Sequence, residues 1–237
     1  MARRITFRPA AAQPTGTAPQ EQPSTFIHRL LPYRWLLLAV AGLLLAVGVG
    51  VVWRQHSRQQ AEVAAQEALW QAQRYHEQGE YTKALTGDSV SLGLLDVIGN
   101  FPGTKGAQLA HFYAAQIYLQ QRKLAQALQQ LSHCDFGDKL LQPRVWALRG
   151  DIHCEAQRYE QALECYQQAS ALGEKAFDVA AYVMKEALVH EELGDYALAL
   201  ACYRRVVQQL KASPKHYRQA QKHLGRLTLM LQQQVTQ

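Results

Sequence analysis

Between Trp35 and Trp53 the chain reads WLLLAVAGLLLAVGVGVVW, nineteen residues without a charge. At roughly 1.5 Å of rise per residue, a helix of that length reaches about 28 Å, close to the roughly 30 Å of hydrocarbon in a bilayer. Only a helix or a closed barrel satisfies its own backbone in lipid, so the run predicts one transmembrane helix, placed over residues 31–54. Gly42, Gly48 and Gly50 are tolerable in that setting. Trp35 and Trp53 bracket the run as interfacial aromatics do. A cleaved secretory signal has a hydrophobic core of about 7 to 15 residues followed by small residues. This run is longer, starts at residue 35 and exits into Trp53-Arg54. A buried helix of a soluble domain seldom stays uncharged for about 18 residues.

Basic residues set the expected orientation. Arg3, Arg4, Arg8, Arg29 and Arg34 precede the span, and Arg54, Arg58 and Arg74 follow it. The bias favours a cytoplasmic N-terminus and a C-terminal domain across the membrane. The margin is narrow, so a reversed topology with a cytoplasm-facing docking platform is the alternative. Residues 1–30, which include PAAAQPTGTAPQEQPS, hold little to bury and are read as a disordered cytoplasmic tail. The chain has 25 basic and 19 acidic residues; setting aside the five arginines and Glu21 that precede the span leaves 20 and 18. A nucleic-acid partner would want that surplus in the folded domain, so none is expected.

Residues 55–237 are expected to be all-α. Strand signals are nearly absent, and apolar residues recur every three to four positions. Four segments share one pattern, near 65–100, 107–138, 143–175 and 180–212. Ala84, Ala127, Ala162 and Ala199 anchor them at intervals of 43, 35 and 37 residues. Twelve residues before each anchor stands a small residue, Ala72, Ala115, Gly150 or Ala187. Two antiparallel helices approach closely only where side chains are small. Trp146, Tyr159, Tyr166, Tyr196 and Tyr203 fill the wedge between them. Gly79 and Gly194 stand where a first helix ends and a left-handed residue is wanted, whereas Arg122 replaces the glycine in the second segment. The pattern resembles the tetratricopeptide repeat, of period about 34 residues. After Ala84 the first copy degenerates through Gly87, Gly93 and Gly99, and a short helix is expected near Val90 to Ile98 before a loop. Residues 215–234 put Tyr217, Ala220, Leu224, Leu227 and Leu231 on one stripe, as a capping helix needs.

No phosphate loop, Cys-x-x-Cys pair or His-Glu-x-x-His is present, so no catalytic, cofactor or metal residue and no small-molecule substrate is expected. His133-Cys134 and His153-Cys154 sit at different repeat positions and are read as packing residues. The four cysteines do not form a disulfide framework by spacing; Cys154 and Cys165, on the two helices of one repeat, are the pair worth testing. Function is therefore expected from a peptide-binding groove on the first helices. In the second copy it takes Leu109, Phe112, Gln116 and Leu119. The third contributes Arg144, Ala147, Asp151 and Glu155, and the fourth Met184, Leu188 and Glu191. Some of these positions have a competing reading as contacts of the terminal helix.

With GAQLAHFYAAQIYLQQRKLAQAL in the second copy and the closing KHLGRLTLML, the tail, span and four-repeat arrangement resembles the bacterial ancillary SecYEG translocon subunit (YfgM-like) family. That resemblance implies an inner-membrane protein whose periplasmic repeats attend exported polypeptides, with translocon subunits and a membrane-bound periplasmic chaperone as partners. The chain departs from the family in its longer Pro- and Gln-containing tail. A structural scaffold subunit of an envelope assembly for cell division or secretion is the competing reading.

Overall fold

The computed structural model describes residues 34–210 and 213–235, so the expected tail and the first residues of the span lie outside the described residues. Among the described residues there are ten α-helices and no strand. They are α1 (Arg34–Glu77), α2 (Tyr81–Thr86), α3 (Leu94–Asn100), α4 (Lys105–Gln120), α5 (Leu124–Leu131), α6 (Gln142–Glu155), α7 (Tyr159–Leu172), α8 (Ala176–Glu192), α9 (Tyr196–Gln208) and α10 (Pro214–Val235). The chain divides into two compact units at Arg54/Gln55.

Among the described residues, the first unit is the apolar part of α1. It is long and apolar enough to cross a membrane. Leu43, Leu44, Leu45, Val47, Val49 and Val51 are all more than half exposed, so no protein surface covers them among the described residues. The helix does not stop at the expected boundary near 54 but continues to Glu77. Nothing between Arg54 and Ala64 breaks it, because neither Gly nor Pro occurs there and Gln, Ala, Glu and Arg are good helix formers.

In the second unit the helices pair in chain order. The end of α1 pairs with α2, α4 with α5, α6 with α7 and α8 with α9, and α10 lies against α9 and α8. All eight anchoring small residues are buried, Ala72, Ala84, Ala115, Ala127, Gly150, Ala162, Ala187 and Ala199. One turn is used four times. Gly79, Arg122, Gln157 and Gly194 all adopt φ between +56° and +79°. The following N–H donates to the carbonyl five residues earlier, Glu80 to Tyr75, Lys123 to Tyr118, Arg158 to His153 and Asp195 to His190, at 2.8–2.9 Å. This closes each first helix and aims the second antiparallel to it.

Capping explains the remaining boundaries. The short helix expected from Val90 begins only at Leu94. Asp88 accepts from the N–H groups of Val90 and Ser91 and holds them in a turn, and Asp96 accepts from the Gly93 N–H to start α3. Thr104 caps α4 by accepting from the Ala107 N–H at 3.0 Å. Glu62 of α1 accepts from the Lys105 and Gly106 N–H groups at 2.8 and 3.0 Å, which ties α1 to the first turn of α4. On α10, Ala220 and Leu227 are buried in the core it shares with α8 and α9.

Candidate functional site

A cleft of about 570 Å³ opens between the first helices of the third and fourth pairs. Its walls are Asp151, Cys154 and Glu155 of α6, Tyr159 and Tyr166 of α7, and Lys185, Leu188, Val189 and Glu192 of α8; Arg122 and Gln157 come from two of the shared turns. The positions follow from helical spacing. Asp151 and Glu155 stand one turn apart on α6, as do Lys185 and Leu188 on α8.

At the floor, Lys185 Nζ donates to both oxygens of Asp151 at 2.6 and 2.7 Å, and the Tyr166 hydroxyl donates to Asp151 Oδ1 at 2.7 Å. Burial, with the Asp151 charge beside it, pushes the Tyr166 hydroxyl well above the ordinary phenol value. Cys154 Sγ lies 3.5 Å from that hydroxyl, and burial raises its pKa too, so the thiol stays protonated and a poor nucleophile. Arg122 and Glu155 form an exposed ion pair of 3.1 Å at the rim. Leu188 offers apolar surface, 43% exposed. Three carboxylates face two cations, and the floor charges already satisfy one another. The cleft thus offers apolar surface beside hydrogen-bonding groups and little net charge of its own.

Of the eleven groove positions expected from sequence, Asp151, Glu155 and Leu188 come together in this cleft. Three others are buried and face the core. Phe112 packs with Ala115, Leu131 and Val145, Met184 with Ala187, Tyr203 and Leu227, and Ala147 with Ala162 and Tyr166. The next helix pair packs onto Phe112 and Ala147, and the terminal helix α10 packs onto Met184. Leu119 is half-buried against the core of the second and third pairs. Leu109 lines a separate pocket of about 170 Å³ with Leu69, Phe136 and Leu141. Gln116 is half-buried, and Arg144 is exposed beside the Tyr182 hydroxyl. Glu191 belongs to the terminal helix: it accepts from Tyr203 at 2.6 Å and pairs with Arg226 and His223 of α10. Sequence reasoning missed Lys185, Arg122 and Tyr159 as cleft residues. A lysine inside the apolar run AAYVMKEALV was the available signal, since a charge there needs a partner.

The cysteines are free thiols, Cys154 and Cys165 included. Cys134 is buried in the core and donates weakly to the Gln108 carbonyl, as expected of a packing residue.

Residues 143–176 and residues 180–209 each match the family model of the tetratricopeptide repeat. These matches cover α6 with α7 and α8 with α9, the two pairs that build the cleft. No protein of curated function matches the chain. Among solved structures, the crystal structure of MamA is similar with a TM-score of 0.42 and 13% identity, over 61% of this chain and 92% of that one. The chain is thus an all-α protein with tetratricopeptide repeats, a protein-interaction architecture, preceded by one long apolar helix.

Proposed function

We propose that this chain is a single-pass membrane protein that binds extended polypeptide in the cleft between α6 and α8, without catalysing a reaction. The carrying observation is the cleft itself: a half-apolar trough with internally neutralised charges, on the first helices of two tetratricopeptide repeats. The uncovered apolar stretch of α1 supports a lipid anchor, because so many exposed leucines and valines would otherwise face water. The excess of arginine before the span supports a cytoplasmic N-terminus and repeats on the far side, which in a bacterial inner membrane is the periplasm. There the cleft would receive exported polypeptides near the translocon, alongside a membrane-bound periplasmic chaperone.

Photocrosslinking from position 188 in intact cells tests this reading. It should capture many newly exported chains together with translocon subunits. Capture of one folded envelope partner would instead support the scaffold role, and capture of cytoplasmic proteins alone would reverse the topology and overturn the proposal.

A further inference from the structure

Glu186 and His190 stand one turn apart on α8, and Cys202 faces them from α9. Their ligand atoms all lie within 4.8 Å of one another. His190 is only 7% exposed, and its Nδ1 is buried without a hydrogen-bond partner. The Asp195 carboxylate, at the turn into α9, lies 3.9 Å from that nitrogen. Gln167 of α7 donates to Glu186 at 3.4 Å, and Arg205 is the cation near the Cys202 thiol.

The preceding repeat gives an internal comparison. Shifted by the 37 residues that separate Ala162 from Ala199, the same positions hold Arg149, His153 and Cys165, with Arg158 in place of Asp195. The His-Cys frame is kept, and His153 Nδ1 is likewise buried without a partner. The charges around it are inverted. Arg149 and Arg158, with Glu164, lie near His153 in the third repeat, whereas Glu186 and Asp195 lie near His190 in the fourth. Packing alone gives no reason for the position of Glu186 to be an arginine in the one frame and that of Asp195 to be an arginine as well.

We infer that Glu186, His190 and Cys202 form a binding site for a borderline-soft divalent cation such as Zn²⁺. Thiolate, imidazole and carboxylate are the donor types zinc takes, and three protein ligands leave a fourth position for water or a partner's side chain. Asp195, 3.9 Å from His190 Nδ1, adds a second negative charge beside the site that favours a cation. The arginines make the third repeat a site that repels the same ion. Sequence reading finds no such motif, because the ligands come from two helices and only their stacking brings them together.

Zinc added to the purified full chain in detergent tests the assignment, with alkylation of each cysteine followed by mass spectrometry. One equivalent of Zn²⁺ should slow modification of Cys202 at least ~10-fold while leaving Cys154 and Cys165 unaffected, and Co²⁺ in its place should give a thiolate-to-metal charge-transfer band. Glu186→Arg, which copies the third repeat, and Cys202→Ser should each weaken binding by more than ~100-fold, beyond the loss typical of an outer-sphere change. Unaltered Cys202 reactivity at saturating zinc, or binding that survives both substitutions, would overturn it.

Discussion

Gly150 is the point where the third helix pair closes most tightly. A methyl group there would meet the Tyr166 ring at 2.5 to 2.9 Å, and that ring is held by its hydroxyl on Asp151. Gly150→Ala should therefore destabilise the repeat domain by ~1–3 kcal/mol, the usual cost of overpacking. Urea unfolding of the detergent-solubilised chain checks it, and an unchanged midpoint would show that Tyr166 moves aside freely. The opposite sign is expected at Gln157, a non-glycine residue at φ +57°. Gln157→Gly should stabilise by up to ~1 kcal/mol, since an L-residue in the left-handed region is strained. At this scale the sequence was readable where packing demands a particular size, as at Ala115, Ala162 and Gly150. Phe112 and Met184 are buried instead, because helical spacing marks the face of a first helix but not how far the next pair, or for Met184 the terminal helix, overlaps it. Tyr166 was legible as a packing aromatic, but its bond to Asp151 and the link from there to Lys185 depend on three helices at once.

Helix by helix, the account turns on caps and on α10. The expected capping helix is present, and Glu191 is the polar clasp that holds it. Burial works against the charge of Glu191, but the bonds from Tyr203 and Arg226 and the nearby His223 outweigh it, so its pKa lies below the ordinary carboxylate value. A depressed folded-state pKa contributes stability that is present above the unfolded value and lost as pH falls through the folded one. Amide protection in α10 should accordingly drop as the solution is taken below about pH 4, near the reference glutamate value. In Glu191→Gln that acid-dependent loss should vanish; an identical drop in the variant would assign it elsewhere. The boundaries of α1 and α3 were the less legible part. No residue between Trp53 and Glu77 stops a helix, and the start of α3 is decided by Asp88 and Asp96 rather than by apolar period.

For the whole molecule, the proposed function puts an anchor and a recognition surface on one chain. The apolar run should keep the protein in the membrane fraction through alkaline extraction. Leu44→Arg with Val47→Arg should release it, at ~2.5–3.5 kcal/mol for each arginine at the centre of a span. Retention of the double variant would mean that something other than the span holds it. The central claim is that the cleft between α6 and α8 is where polypeptide binds, and one titration tests it most directly. Fluorescence anisotropy of a labelled, reduced and carboxymethylated polypeptide can be followed against the full chain in nanodiscs, comparing the unaltered protein with Leu188→Arg and with Arg204→Glu, a change at an exposed position of α9 outside the cleft. The account predicts that Leu188→Arg weakens binding at least ~10-fold, a loss of about 1.4 kcal/mol, while Arg204→Glu leaves it unchanged. Equal affinities for all three proteins would contradict it.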